Sequence, residues 1–249
     1  MFEILFQYGS VSIRTFNILL AFGFLFSGIF IIRYINRRKL NISFFARYVI
    51  HILIAIIIGG RLFFVLENLY LFTSNPIYAF YVWDLNFSFF GGLYGFILAL
   101  YLLAKRNKED FWLWFDAGII TLMLVMVFVH TGHFFNGSQY GMPTELPWGI
   151  ALSQDIDIPY TSPLHPTQLY SALLSAGIFL FSTKKIKRTH LSGIVGTMAL
   201  MVYSIGIFGI DFFHGEPSLY VKISFGIIAA LSFIFLVLSS HKKLNLHNS

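Results

Sequence analysis

Hydrophobic residues fall in seven long stretches along this chain, at roughly 16–35, 44–66, 87–104, 111–135, 166–181, 191–213 and 223–239, with short polar loops between them. A run of about 18 to 20 apolar residues crosses a bilayer core near 30 Å as a helix. The pattern therefore predicts an all-α fold, a polytopic integral membrane bundle of seven transmembrane helices, as a single domain over residues 1–249. The polar side chains that interrupt the stretches gather at one end of that bundle. Arg61, His130, His133, Asp211 and His214 sit at or near the outer ends of the second, fourth and sixth spans, and His165 immediately precedes the fifth. Ionisable groups at membrane depth are expensive and mark function by default. The outer loop at about 136–165 is the longest connection, roughly 30 residues punctuated by glycines and prolines, and loops of that length are usually functional.

Composition excludes a soluble domain: 57% of the residues are hydrophobic, 11% are charged and the mean hydropathy is +0.75. A formal net charge of +6 invites a nucleic-acid partner, and the placement of the charges rejects one. Fourteen of the 17 basic residues lie in loops that share one side: Arg33, Arg37, Arg38, Lys39 and Arg47, then Lys105, Arg106 and Lys108, then Lys184, Lys185, Lys187 and Arg188, then Lys242 and Lys243. The positive-inside rule makes that side cytoplasmic, which leaves the N-terminus outside and the C-terminus inside. Only Arg14, Arg61 and Lys222 remain towards the outer face. Because its basic cluster follows the first span, that span is expected to be a retained helix and not a cleaved signal peptide. The chain has no cysteine, so any thiol in its chemistry belongs to a substrate.

Four pieces carry candidate chemistry. His165-Pro166-Thr167-Gln168-Leu169-Tyr170 opens the fifth span. Proline is favoured at a first helical position, which would put His165 at or beside the cap. A helix N-terminus suits a phosphate or carboxylate, and an imidazole there is placed to accept a proton. Simple capping, with Gln168 folded back onto the free N–H groups, reads the same letters as well. His130 and His133 are three apart and share a helix face, as do Asp211 and His214. Imidazoles relay protons near neutrality. The same His and Asp set also suits a metal, although the spacing matches no specific zinc signature. Gly59-Gly60-Arg61 offers either an arginine snorkelling to the interface or a guanidinium clamping a lipid phosphate. Gly91-Gly92-Leu93-Tyr94-Gly95 permits close approach of a head group, or of another helix.

Several ordered segments resemble the bacterial prolipoprotein diacylglyceryl transferases. Ser12-Ile13-Arg14 is similar to the segment leading into that family's first helix, and Gly60-Arg61-Leu62 with Asn75-Pro76 and Val82-Trp83 to its second helix and outer loop. Ser88 to Gly95 resembles the opening of its third helix. Gly132, Phe134, Asn136, Gly137, Tyr140, Gly141, Pro143, Pro147 and Trp148 fit its signature loop, and residues 165–170 match its His-Pro-Ser-Gln-Leu-Tyr box almost letter for letter. The resemblance implies a seven-helix frame in the bacterial cytoplasmic (inner) membrane, with its site facing the outer side. It implies transfer of a diacylglyceryl group from the phospholipid phosphatidylglycerol to the lipobox cysteine thiol of a prolipoprotein signal peptide, with release of glycerol phosphate. Such a site must deprotonate a thiol and stabilise a departing phosphate.

The chain departs from the family pattern at several positions. His130 stands where the family has Arg, His133 where it has Asn, Ser138 where it has Glu and Phe90 where it has His. In the sixth helix Ile207, Asp211 and His214 align with Arg, Glu and Arg. Pattern and resemblance together nominate His165, His130 and Asp211 for catalysis. They nominate Arg61, Asn136, Gln168, Tyr170, His133, His214, Gly91 and Gly92 for substrate binding, and no metal or cofactor is expected. Three other readings keep the same frame: another lipid donor or acceptor, a non-catalytic lipid-binding protein, and a metal-dependent membrane enzyme.

Overall fold

A computed structural model describes residues 4–8, 11–83, 86–151, 161–186 and 191–247. The chain opens with β1 (Ile4–Tyr8) and β2 (Val11–Arg14), an antiparallel hairpin that the apolar pattern did not foretell. Then come α1 (Thr15–Arg38), α2 (Ile42–Glu67), α3 (Leu69–Phe72) and a 3₁₀ turn at Pro76–Phe80. They are followed by α4 (Phe89–Asn107), α5 (Phe111–Asn136), α6 (Thr167–Lys185), α7 (Ile194–Ile210) with its 3₁₀ extension Asp211–Phe213, and α8 (Leu219–His247).

The described residues thus form eight α-helices, and six of them, α1, α2, α4, α5, α7 with its extension, and α8, are long and apolar enough to cross a membrane. The seventh expected span coincides with α6, which lacks the hydropathy of the others. Its buried residues explain the shortfall: Gln168, Ser171, Ser175 and Ser182 recur at helical spacing on one inward face. Ser171 and Ser175 donate to the carbonyls one turn earlier, at 3.0 and 2.8 Å, so their hydroxyls are satisfied within the helix.

Two compact units make up the chain, 35–115 and the remainder. In the first, α2 and α4 pack backbone to backbone. A Cβ added at Gly59 would strike the Gly91 carbonyl, one at Gly91 the Gly59 carbonyl, and one at Gly95 the Ala55 carbonyl. This is the helix-packing use of small residues. Gly92 meets only an ordinary contact, Ile56 Cγ2 at 3.5 Å. The α4 N-cap is Ser88, whose backbone N–H donates to Gly60 O at 3.0 Å and whose hydroxyl donates to Glu67 Oε1 at 2.6 Å.

In the second unit Ile119, Ile120 and Met123 of α5 and Val195 of α7 are fully buried. Phe128 of α5 stacks on Phe26 of α1, Phe179 of α6 meets Phe30 edge-on, and Phe225 of α8 does the same to Tyr203 of α7. Fully buried Asp116 of α5 accepts from the amides of Gly193 at 2.8 Å and Gly196 at 2.5 Å, and so caps α7 from a neighbouring helix.

Candidate functional site

The loop after α5 builds the floor on which His165 stands. Asn136 ends the helix, and Gly137 and Gln139 take left-handed backbone conformations that reverse the chain. Tyr140-Gly141-Met142 then runs as a central strip between two other segments. On one side Gly141 N donates to His165 O at 3.1 Å and His165 N to Met142 O at 3.0 Å. On the other, Met142 N donates to Phe213 O at 2.8 Å and Gly215 N to Tyr140 O at 2.8 Å. A Cβ on Gly141 would lie 2.6 Å from His165 Cβ and 2.8 Å from Phe213 O, so only glycine fits.

At the start of α6 His165 stands beside the cap, as expected, and only the proline is shifted by one position. Pro166 is the N-cap and Thr167 the first helical residue, which puts His165 one residue outside the helix. The Thr167 amide donates to His165 O at 2.8 Å and the Leu169 amide to Pro166 O at 2.9 Å. These N–H groups are therefore satisfied by the chain and are not presented to an anion. Gln168 does not fold back as a cap: its side-chain amide donates to Ser138 O at 2.8 Å, while Thr167 Oγ1 donates to Gln139 O at 2.7 Å. Both side chains hold the 137–139 turn.

His165, His133, His130, Asp211 and His214 each meet a different neighbour. His165 Nδ1 lies 3.2 Å from Tyr170 Oη, which accepts from Trp148 Nε1 at 2.8 Å, and the imidazole rests against the Phe213 ring at 5.1 Å. When Nδ1 carries the ring proton and donates to Tyr170, Nε2 is left as the basic nitrogen. His133 Nδ1 is 2.7 Å from Ser138 Oγ, and its ring packs on Phe16. His130 is buried in the bundle, with Nε2 3.0 Å from Tyr203 Oη and Nδ1 without a partner. Asp211 faces Lys222 Nζ at 3.6 Å, and that ammonium also sits 4.4 Å from the centre of the Phe212 ring. His214 Nδ1 accepts from the Glu216 amide at 3.3 Å, and its backbone bridges to Gly141.

A small pocket with about 10 Å³ of free volume, open in part to solvent, lies beside His165 and is lined by Phe134, Tyr140, Ile150, Leu164, His165, Pro166 and Gln168. Its walls are apolar but for an imidazole, a phenol and an amide. That space holds about one water molecule. Among the described residues no three His, Asp or Glu side chains converge as metal ligands would.

Arg61, Gly91 and Gly92 belong to the other unit. Arg61 is only 5% exposed, and its guanidinium donates through Nε to Ala79 O at 2.9 Å, through Nη1 to Asn86 O at 3.1 Å and through Nη2 to Tyr78 O at 2.6 Å. Its Cζ lies 5.4 Å from the centre of the Phe64 ring and 5.7 Å from that of Phe72. All three nitrogens thus bind backbone carbonyls, where the sequence had offered either a snorkelling arginine or a phosphate clamp.

A family model for prolipoprotein diacylglyceryl transferases matches residues 3–240. The chain belongs to the prolipoprotein diacylglyceryl transferase family. It is similar to the phosphatidylglycerol–prolipoprotein diacylglyceryl transferase of Geobacter sulfurreducens, at 31% identity over 218 residues that cover 86% of this chain and 82% of the relative. The enzyme of the same name from Mannheimia succiniciproducens is 30% identical over 230 residues, 90% of this chain and 83% of its own. That of Photobacterium profundum is 33% identical over 224 residues, 86% and 80%.

Against that family pattern, three contributors to the site escaped the sequence reading. Trp148 stood in the signature loop with no role attached, and its indole proves to hold the Tyr170 hydroxyl. Ser138 was noted only for replacing a carboxylate, and it joins His133 to Gln168. Tyr203 was not singled out at all. A phenol in the middle of a largely apolar span was its only signal, and its partner His130 lies 73 residues away.

Proposed function

We propose that this protein transfers the diacylglyceryl group of phosphatidylglycerol to the cysteine thiol of a prolipoprotein, the lipid-attachment step of lipoprotein maturation. The observation that carries this reading is the family match across almost the whole chain, together with the His165–Tyr170–Trp148 arrangement beside the pocket. In the reaction the thiol gives its proton to His165 Nε2. The thiolate then attacks the glyceryl carbon that carries the phosphate ester, the C–O bond breaks, and glycerol phosphate departs and recovers the proton. Tyr170 and Trp148 orient the imidazole.

The same reading takes α6 as a seventh crossing, its polar face turned into the bundle and its apolar face outward. It places the N-terminus outside and the C-terminus in the cytoplasm, because basic residues cluster at the C-terminal ends of α1, α4, α6 and α8. The His165 pocket then faces the outer side of the bacterial cytoplasmic membrane, where a signal peptide would present its lipobox. His130 and Asp211 act from within this frame, His130 through Tyr203 and Asp211 by holding Lys222.

The test incubates purified protein with phosphatidylglycerol labelled in its acyl chains and a lipobox peptide. Label should move to the peptide, with equimolar release of glycerol phosphate, and a peptide with Cys→Ser should stay unlabelled. Tight lipid binding without transfer would instead identify a lipid-docking protein.

A further inference from the structure

We propose that residues 69–83 lie in the interfacial layer of the membrane as an aromatic anchor, and that Arg61 holds them there. This anchor is independent of the transfer reaction proposed above. From Asn68 to Trp83 no residue is charged, and six are aromatic. Tyr70, Phe80 and Trp83 are 72, 77 and 69% exposed, although they are among the largest apolar side chains in the segment. Exposed aromatic surface of that density, without a charge to solvate it, fits the head-group boundary of a bilayer better than water. The rings are also ordered among themselves: Tyr78 lies 5.1 Å from Tyr81, which lies 4.3 Å from Trp83.

What covers this surface follows from its continuity with α2. Along that membrane-length helix Ile50, Ile54, Ile58, Leu62 and Leu66 recur every fourth residue, and all are exposed. Such a stripe on a spanning helix faces lipid. It runs directly into the exposed side chains of Leu69 and Tyr70, so lipid is also the occupant of the 69–83 surface.

Irregular backbone at this depth needs partners for its carbonyls. The segment has one short helix and one 3₁₀ turn, and Arg61 supplies donors to the carbonyls of Tyr78 and Ala79 and, past the segment, Asn86. The guanidinium sits against the Phe64 and Phe72 rings, which shield those bonds. A buried cation here fastens the anchor to the span beneath it.

The chain has no cysteine, so single labels can be placed without background. A polarity-sensitive fluorophore on Phe80→Cys, and separately on Trp83→Cys, is read in phosphatidylglycerol–phosphatidylethanolamine vesicles, with exposed Glu145→Cys as the aqueous control. Labels at 80 and 83 should be quenched strongly by lipids brominated near the head-group end of their chains and weakly by iodide, and the label at 145 the reverse. Iodide quenching at 80 and 83 equal to that at 145 would overturn the anchor. Quenching by neither agent would also overturn it, in favour of a protein cover such as a bound peptide or a second copy. Adding Arg61→Ala should shift the label at 80 towards iodide, and Arg61→Lys should give an intermediate ratio. Quenching unchanged in both variants would remove Arg61 from the proposal.

Discussion

The amide of Gly141 donates to the carbonyl of His165 at 3.1 Å, and a side chain on Gly141 would collide with the β-carbon of that histidine. A residue 24 positions earlier in the chain therefore decides where the imidazole stands. Gly141→Ala should destabilise the protein by about 1–3 kcal/mol, the usual range for overpacking. Because a misplacement of about 1 Å can cost some 100-fold in rate, transfer should fall on that order. Gly177→Ala, at a glycine with open space around it, should change neither. Thermal melting and the labelled-lipid assay on both variants check this, and equal behaviour of the two would break the link.

His165→Ala should lower transfer by about 10²–10⁴-fold, the range of a general base. Tyr170→Phe, which deletes the hydroxyl between Trp148 Nε1 and His165 Nδ1, should cost less and leave lipid binding intact. His190→Ala, in the basic loop and outside the described residues, should leave the rate unchanged. Rates measured at saturating lipid give the ranking, and the reverse order for His165 and His190 would cancel the proton-transfer assignment.

Asp116 is a stability residue, removed from the proposed chemistry. Its carboxylate satisfies two amides at the start of α7 from within the core. Hydrogen bonds to a charged group contribute about 1.5–3 kcal/mol each, so Asp116→Ala should lower the melting temperature clearly, and Asp116→Asn by less. Activity per folded molecule at low temperature should be kept. An unaltered melting curve for Asp116→Ala would refute the cap.

Sidedness is open to a direct check. Single cysteines near Gly141 and Glu216 should react with an impermeant maleimide in intact cells, and cysteines near Arg38, Arg106 or Lys187 should not. The opposite labelling would invert the topology and move the pocket to the cytoplasm.

Much of this architecture was legible along the chain. The apolar stretch expected at 44–66 is the helix Ile42–Glu67, and that at 111–135 is Phe111–Asn136. The stretch at 166–181 is helical as well, though its serines keep it below the hydropathy of the rest. Three features were harder to see. The N-terminal hairpin is too short for its alternation to stand out beside a membrane span. The tight start of α6 depends on carbonyls that carry no sequence signal. Arg61 and a phosphate-binding arginine look alike in letters, because the loop carbonyls that take its N–H groups belong to residues 17 to 25 positions further on.

From the sequence alone came the membrane class, the approximate positions of the long helices, the uneven distribution of basic residues and the family. These rest on local quantities: apolar length against bilayer thickness, charge per loop, and motif order. Tertiary structure alone decided which polar residues meet. It gave His130 to Tyr203, His133 to Ser138, Asp211 to Lys222 and His165 to Tyr170. Such pairings depend on how helices rotate and how deep each loop descends. Rotation and depth are set by small-residue contacts such as Gly59 on Gly91 and by backbone bonds such as Gly141 to His165, and both join residues far apart in the chain.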